Sequence, residues 1–218
     1  MVFEDKRVQK IAGFWDGYSE EFDEEHNTEN LVLWGKELER SVGRNGRGRV
    51  LDVGTGTGFL ALMLAELGYD VTGVDVADQM MAFGRKKAVQ RNLSVRFIQS
   101  TCELLPFLPE SFDAVVNCRV MWTLMDPEAA VREWMRVLVP GGRVVTFMRM
   151  MDVDTDAIYV PDEVPINLPL KNARKEDYLE VYRDAGLIDV EAEDLPKELS
   201  NASDMPRWTV FCGTKSGK

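Results

Sequence analysis

Four residues at alternate positions, Asp52, Gly54, Gly56 and Gly58, form the stretch of this sequence best suited to binding a ligand. Glycines allow a sharp turn and let a ligand approach the backbone without interference from a Cβ atom. A dinucleotide-binding loop reads G-x-G-x-x-G, but here the third glycine comes one position early and Phe59 occupies the place that this pattern needs. A carboxylate at the end of the preceding strand suits a cation better than a pyrophosphate. The spacing therefore predicts a site for a positively charged ligand.

A second carboxylate, Asp75, ends the next apolar run and follows Gly54 by 21 residues. Doubly wound nucleotide-binding folds place an acidic residue at this position. Its two oxygens can accept hydrogen bonds from both hydroxyls of a ribose. The alternative role is a helix N-cap, for which Asp78 is better placed. We favour ribose binding.

The elements that must position these carboxylates alternate between strands and helices, which indicates an α/β fold. Helical spacing with good start and stop signals predicts helices at about 60–67, 126–138 and 176–185. A tight turn is expected at Pro140-Gly141-Gly142. Apolar runs predict strands at about 50–53, 69–75, 94–99, 111–117, 144–147, 188–191 and 207–214, the last of them antiparallel.

Two further helices are predicted ahead of the first strand. Apolar residues from Val8 to Phe22 recur at steps of three and four, which is typical of an amphipathic helix. A second helix is expected to start at a Thr28 cap and to run through Val42. A glycine-rich, basic link then leads to the first strand, and the long connection at 149–173 shows no clear periodicity.

Three stretches together resemble the class I S-adenosylmethionine-dependent methyltransferases. They are the glycine stretch at 49–60, the carboxylate Asp75, and the block at 112–147 with its D-P and P-G-G sequences. The segment at 14–23 resembles the N-terminal segment of the small-molecule type, which includes the quinone-biosynthesis methyltransferases. The resemblance implies a three-layer, doubly wound, Rossmann-like sheet of seven mostly parallel strands whose last strand is antiparallel. It also implies a helical lid at 1–44 and a methyltransferase domain at 45–218 with a substrate-side loop at 149–173.

The family's site residues carry over onto matching positions of this sequence. The aspartate that usually accepts from the adenine amino group falls at Thr101, which can still accept a hydrogen bond but carries no charge. The residues that would line the acceptor pocket are Trp15, Tyr18, Met121 and Trp122. The residues that would bind the cofactor are Asp52, Gly54, Thr55, Gly56, Gly58, Asp75, Val76, Met80, Thr101, Cys102, Glu103, Asn117 and Arg119.

The resemblance implies in-line transfer of a sulfonium methyl group from S-adenosyl-L-methionine to a small-molecule acceptor, with S-adenosyl-L-homocysteine as product. If the acceptor atom needs a base, His26, the single histidine, and Tyr18 are the candidates. Three alternatives stay open at this point. They are transfer of the aminocarboxypropyl group from the same cofactor, a non-catalytic regulatory protein that binds the cofactor, and, more distantly, an NAD-linked oxidoreductase.

Composition narrows the classes of partner. The 218 residues carry a net charge of −11, so the chain lacks the basic footprint of a nucleic-acid binder. No apolar run reaches the length of a membrane span and no signal peptide is apparent. The three cysteines form no metal-ligand pattern with the histidine. We therefore expect a cytoplasmic monomer or homodimer without a metal.

Overall fold

The structure, a computed structural model, describes residues 5–25, 29–43, 46–150, 168–171, 173–200 and 207–217. Helices and strands alternate through most of the described chain. The helices are α1 Lys6–Gly17, α2 Ser19–Glu25, α3 Leu31–Val42, α4 Phe59–Glu66, α5 Asp78–Gln90, α6 Pro127–Val137 and α7 Lys175–Ala185. The strands are β1 Arg49–Val53, β2 Asp70–Asp75, β3 Val95–Gln99, β4 Phe112–Cys118, β5 Leu138–Arg149, β6 Ile188–Asp194 and β7 Trp208–Thr214.

The seven strands form one sheet in the order β3-β2-β1-β4-β5-β7-β6. The pairs from β3 to β5 are all parallel, whereas β7 runs antiparallel to both β5 and β6. The predicted α/β fold with an antiparallel last strand is thus confirmed. The chain order reverses between β1 and β4, and ligands of open α/β sheets bind beyond the carboxyl ends of the strands at such a point.

The connection into β5 differs from the predicted tight turn. Strand β5 begins at Leu138, directly after α6, and Leu138 pairs with Phe112 at the start of β4. The ladder then shifts register before Ala114 pairs with Arg143. Gly141 has a φ of 75° inside this irregular stretch and donates its N–H to the Lys215 carbonyl. The P-G-G sequence therefore forms an irregular strand start.

Two apolar layers cover the two faces of the sheet. One packs α3 and α4 on the sheet and contains the fully buried Trp34, Leu64 and Phe147. The other packs α6 and α7 on the opposite face and includes Trp134 and Tyr182, which are also fully buried. The strands of β1 and β4 are buried on both sides, which explains why they read as continuous apolar runs. No helix in the described part of the chain is long and apolar enough to cross a membrane.

The N-terminal segment departs from its prediction in two details. The single amphipathic helix is divided, because α1 ends at Gly17 and α2 begins at Ser19 after a turn at Tyr18. The second helix, α3, is capped by Asn30, whose side chain accepts from the Leu33 N–H at 3.3 Å. The predicted cap Thr28 lies outside the described residues.

A buried carboxylate joins this segment to the sheet. Glu29 Oε2 accepts from the indole N–H groups of Trp34 (3.0 Å) and Trp208 (3.2 Å), and Oε1 pairs with Arg149 at the end of β5. Its backbone forms an isolated antiparallel bridge with Ser200. Breaking a buried pair by removing one partner typically costs about 3–5 kcal/mol. Glu29 therefore anchors the start of α3 to β5 and β7.

Candidate functional site

The glycine loop leaves β1 and enters α4 through three residues in the left-handed region. Gly54, Gly56 and Gly58 have φ values of 67°, 53° and 85°. A Cβ atom on Gly54 would lie 2.1 Å from the side chain of Val120, so the fold itself requires that glycine. A Cβ atom on Gly56 would meet only Met80 at 3.5 Å and Phe22 at 3.7 Å. Gly56 is therefore a loop glycine at which a Cβ atom would make only ordinary van der Waals contacts.

The Asp75 carboxylate holds this loop in place from the end of β2. Its Oδ2 accepts from the Gly56 N–H at 2.8 Å, and its Oδ1 accepts from the Ala77 N–H at 2.9 Å. The side chain is buried at 9% exposure, and burial raises the pKa of Asp75 to about 6. A negative charge from Asp16 on α1 also raises the pKa. Asp75 thus has a structural role in addition to the predicted ribose contact.

Asp52 is near the end of β1 and is more deeply buried than Asp75. Its Oδ2 accepts from the Thr55 hydroxyl at 2.7 Å and from the Ala61 N–H at 3.1 Å near the start of α4. Burial raises the pKa of Asp52 to about 7, and the charge of Asp75 adds to this effect. Two buried carboxylates side by side favour a cation or a hydrogen-bond donor between or beside them.

Beyond β3 the predicted adenine contacts have separate partners. Thr101 is 3% exposed, and its hydroxyl oxygen is buried without a hydrogen-bond partner. The Cys102 carbonyl already accepts from the indole of Trp134 at 2.9 Å. Glu103 accepts from the Met125 N–H at 3.3 Å, and burial raises its pKa. Of the three, Thr101 is the one with a buried side-chain oxygen that has no hydrogen-bond partner.

The two apolar residues predicted to flank the adenine lie next to Asp75. Met80 is buried at 3% exposure in the first turns of α5, and its methyl group faces Gly56. Val76 is half-buried, and its carbonyl accepts from the Gln99 side chain at 2.9 Å. The glycine loop, the end of β2 and the start of α5 thus meet around one space.

The two candidates at the end of β4 have different surroundings. Asn117 is fully buried and donates from Nδ2 to the Thr146 hydroxyl at 2.7 Å, and that hydroxyl also bonds to Tyr182. Its Oδ1 atom is buried without a hydrogen-bond partner. Arg119 is partly exposed and follows the strand at a φ of 59°. Its predicted contact with the cofactor, like that of Asn117, stays a prediction.

Aromatic side chains of α1 and α2 lie over the end of β4. Trp15 packs edge-on against Trp122 with centroids 6.3 Å apart and against Phe22 at 5.8 Å. Tyr18 contacts both Trp15 and Phe22. Met121 is fully buried in the core, so in this conformation it does not line an open surface. These contacts form an aromatic cluster that we call the aromatic cap, made of Phe14, Trp15, Tyr18 and Phe22.

Comparison with known proteins identifies the family. Residues 51–146 match the methyltransferase domain family, and this range holds the glycine loop, Asp75 and the whole of β4. Demethylmenaquinone methyltransferase of Thermus thermophilus is 48% identical over 99 residues, which is 44% of this chain and 45% of that protein. Residues 51–146 therefore form a methyltransferase domain, and the chain is similar to the class I S-adenosylmethionine-dependent methyltransferases.

Other relatives match over longer stretches. Ubiquinone biosynthesis O-methyltransferase of Pseudomonas fluorescens is 32% identical over 140 residues, covering 63% of this chain and 59% of that protein. A solved structure of phosphoethanolamine N-methyltransferase 2 of Haemonchus contortus superimposes with a TM-score of 0.68 at 21% identity, covering 84% of this chain and 52% of that one. The chain spans about half the length of the two curated relatives.

The residues around the glycine loop fit the cofactor of this methyltransferase family. A Cβ atom on Gly56 would meet only ordinary contacts, the Asp75 carboxylate is buried and the Thr101 hydroxyl is unpaired, but their predicted contacts with the methionine, ribose and adenine parts stay predictions. Asp52 adds a buried carboxyl whose ionised form suits a cationic ligand. Among the described residues, no group of three His, Cys, Asp or Glu side chains is arranged to hold a metal ion.

The structure also reveals functional candidates that the sequence did not. Asp16 accepts from the Gln79 N–H at 2.8 Å, so a side chain of α1 caps the N-terminus of α5. Asp23 of α2 pairs with Lys87 of α5. Only the acidic character of the segment hinted at these contacts, because the partners are 63 and 64 residues apart. His26 lies outside the described residues.

The raised pKa of Asp52 predicts how stability depends on pH. A carboxyl whose folded pKa exceeds its unfolded value binds more protons in the folded state, so its stabilisation is complete below the unfolded pKa of about 4. It is lost as the pH rises through the folded pKa of about 7. The stability of the wild type relative to Asp52→Asn should therefore fall between pH 4 and pH 7.

Chemical denaturation at several pH values measures this difference directly. Asparagine keeps an oxygen that can accept from Thr55 and Ala61, so the variant isolates the ionisation. Asp70→Asn, at an exposed side chain, is the control and should follow the pH dependence of the wild type. A difference between wild type and Asp52→Asn that is constant from pH 4 to pH 8 would contradict the expected ionisation of Asp52.

Proposed function

We propose that this protein transfers the methyl group of S-adenosyl-L-methionine to a small aromatic acceptor. The observation that carries the proposal is the arrangement at the carboxyl ends of β1, β2 and β4. There the space beside Gly56 lies against both Asp75 and the aromatic cap. The names of the two curated relatives, which refer to quinone biosynthesis, support a quinone precursor or a similar ring compound as acceptor.

The chain's own residues would divide the work of binding. Asp75 accepts hydrogen bonds from the ribose, Thr101 accepts from the adenine amino group, and Met80 with Val76 packs against the adenine faces. Asp52 contributes negative charge below the glycine loop. The bound cofactor supplies a methyl group already activated as a sulfonium. The protein therefore acts mainly by positioning the acceptor in line, an effect that can supply about 7–11 kcal/mol.

The aromatic cap would exclude water from this reaction. Trp15, Phe22 and Trp122 form one edge-to-face series from α1 and α2 to the end of β4. We propose that residues 1–44 act as a lid. Most of the predicted substrate-side loop at 149–173 lies outside the described residues. Closing an apolar surface over a reactive sulfonium prevents its hydrolysis and strengthens the electrostatic interactions inside. Tyr18 and His26 remain the candidate bases within this lid. We place the enzyme in the cytoplasm, where its three free cysteines remain reduced.

Product analysis tests the function. The protein is incubated with S-adenosyl-L-methionine labelled in the methyl group and with fractionated small metabolites, and the products are followed by mass spectrometry. Methyl transfer leaves S-adenosyl-L-homocysteine and a labelled acceptor. Formation of 5′-methylthioadenosine would instead identify aminocarboxypropyl transfer. Tight cofactor binding without turnover in any fraction would favour the regulatory alternative.

Replacement of Asp75 tests the proposed ribose contact. Asp75→Ala should weaken binding of S-adenosyl-L-homocysteine by about 1.5–3 kcal/mol, the range for a hydrogen bond to a charged group. Calorimetry measures the affinity and thermal melting measures the fold. Some loss of stability is expected as well, because the carboxylate also accepts from Gly56 and Ala77.

Two further variants separate the roles of Asp75. Asp75→Asn keeps one acceptor oxygen and should lie between wild type and alanine in both measurements. Asp78→Ala removes a carboxylate three residues away that pairs with Arg85 at the surface, and it should leave the affinity unchanged. If Asp75→Ala lowers the melting temperature but leaves the affinity of the folded protein intact, Asp75 serves only to hold the loop.

A further inference from the structure

Arg119 brings a positive charge to the edge of the candidate site. It follows β4 directly, and its backbone N–H donates to the Phe147 carbonyl of β5 at 2.9 Å. Its φ of 59° lies in the left-handed region, which non-glycine residues adopt infrequently. Such strained positions persist only where the surrounding structure fixes them, and they concentrate at ligand sites.

The guanidinium of Arg119 lies between aromatic rings. Its central carbon is 5.2 Å from the ring centroid of Phe22 and 5.6 Å from that of Trp208. The Nε atom is buried and has no hydrogen-bond partner, and none of the carboxylates in the described ranges pairs with the side chain. Burial lowers the pKa of Arg119 below its usual value, because the charge is removed from water. Cys118 hydrogen-bonds to the side chain, but an unpaired buried Nε is costly, and a ligand can supply the missing partner.

The charges around Arg119 do not balance. The carboxylate that acts on it is Glu29, but both oxygens of Glu29 are engaged, one by Arg149 and the other by the indoles of Trp34 and Trp208. Two guanidinium groups therefore share one carboxylate. A local excess of positive charge stands out in a chain whose net charge is −11.

We propose that Arg119 binds an oxyanion of the methyl acceptor, so that the acceptor is a small aromatic acid. The proposal rests on the methyltransferase function proposed above. Phe22, which is partly exposed beside the guanidinium, offers an aromatic side chain to the body of such a molecule, and the planar guanidinium suits a carboxylate in two parallel hydrogen bonds. Phe22 also contacts the space beside Gly56, which brings the anion site next to the methyl donor.

The position of Arg119 in the sheet assigns it to the acceptor. The carboxylates and the hydroxyl proposed for the cofactor belong to β1, to β2 and to the loop after β3. Of the groups around Arg119, Arg149 belongs to β5 and Trp208 to β7, and both strands lie on the other side of β4 in the sheet order. The methionine carboxylate of the cofactor is the competing anion, and the experiment must separate it from the acceptor.

The test compares acids with neutral molecules of the same shape. The protein is saturated with S-adenosyl-L-homocysteine and titrated by calorimetry with benzoate and 4-hydroxybenzoate, and in parallel with benzamide and 4-hydroxybenzamide. The wild type should bind the acids at least about tenfold more tightly than the amides, which corresponds to about 1.4 kcal/mol. Arg119→Met should lose that preference. Arg96→Met, which removes an exposed arginine paired with Asp70, should keep it.

Two further measurements decide between the outcomes. Arg119→Lys retains a positive charge without the planar fork, and it should keep part of the preference even if Arg119→Met does not fold. The affinities for S-adenosyl-L-homocysteine and for 5′-methylthioadenosine, which lacks the amino acid group, identify the competing anion. Arg119→Met could weaken binding of S-adenosyl-L-homocysteine by tenfold or more and leave binding of 5′-methylthioadenosine unchanged. In that case the guanidinium binds the cofactor and the proposal is overturned.

The remaining outcomes also have distinct meanings. Equal binding of acids and amides by the wild type would overturn the anion site while leaving the methyltransferase proposal intact. Failure of the wild type to bind S-adenosyl-L-homocysteine would count against the proposed function. In that case the same titrations without the nucleoside would still show whether Arg119 selects acids over amides.

Discussion

Gly56→Val is expected to abolish binding of S-adenosyl-L-homocysteine. The valine side chain would fill the space beside the glycine loop, between Met80 and Phe22, where the proposed cofactor has to approach the backbone. A loss of 100-fold or more, about 3 kcal/mol, is expected by calorimetry. The new Cβ atom itself would make only ordinary contacts at 3.5 and 3.7 Å, so the protein should still fold.

A matched control separates this effect from backbone strain. Gly141 has a φ of 75°, similar in sign to the 53° of Gly56, but a Cβ atom there would meet no atom within 4 Å. Both Gly56→Val and Gly141→Val therefore carry the cost of a left-handed L-residue, about 1–2 kcal/mol. Only Gly56→Val should lose the ligand. Unchanged affinity in Gly56→Val would remove the glycine loop from the proposed cofactor site.

Deletion of residues 1–26 is expected to eliminate methyl transfer while the sheet stays folded. The deletion removes α1, α2 and the aromatic cap, whose Phe22 contacts both the glycine loop and Arg119. It leaves the Asn30 cap of α3 and the Glu29 contacts in place. Cofactor retention should weaken as well, because the aromatic cap no longer covers the site. Circular dichroism and product analysis measure the two effects separately.

Hydrogen exchange tests whether the lid responds to the ligand. Amides in residues 8–24 should gain protection when S-adenosyl-L-homocysteine is added, because a filled site gives the aromatic cap more surface to cover. Asp16→Ala combined with Asp23→Ala breaks the two contacts with α5 and is the matched variant. It should lower protection in the free protein and keep part of the ligand-induced gain. Equal protection with and without ligand would mean that α1 and α2 are permanent packing.

The sheet could be predicted from the sequence because its central strands are buried on both faces. Strand β4 was expected at 111–117 and is Phe112–Cys118, and β2 was expected at 69–75 and is Asp70–Asp75. The start of β5 could not be predicted in the same way. It depends on the pairing of Leu138 with Phe112, which joins residues far apart in the chain. The sequence offered only the P-G-G residues, which are typical of a tight turn.

In the candidate site, too, some features could be predicted from the sequence and others could not. Asp75 and the glycine loop have a spacing that points to a nucleoside, because both lie at the ends of adjacent strands. The cap that Asp16 places on α5 depends on how α1 packs and has no local signature. The surroundings of Arg119 were equally hidden, since its ring partners come from α2 and β7. Site residues that belong to one motif could be predicted from the sequence, whereas contacts between distant segments could not.

Glu29 has a consequence for how this scaffold could be diversified. Its buried contacts with Arg149 and Trp208 fasten the chain to the sheet just after the aromatic cap ends. Segments upstream of this fastening point could therefore be exchanged between homologous enzymes without disturbing the nucleoside-binding half. A library of chimeras joined at residue 29 would vary the acceptor while keeping the methyl donor, which makes Glu29 a natural crossover point for recombination.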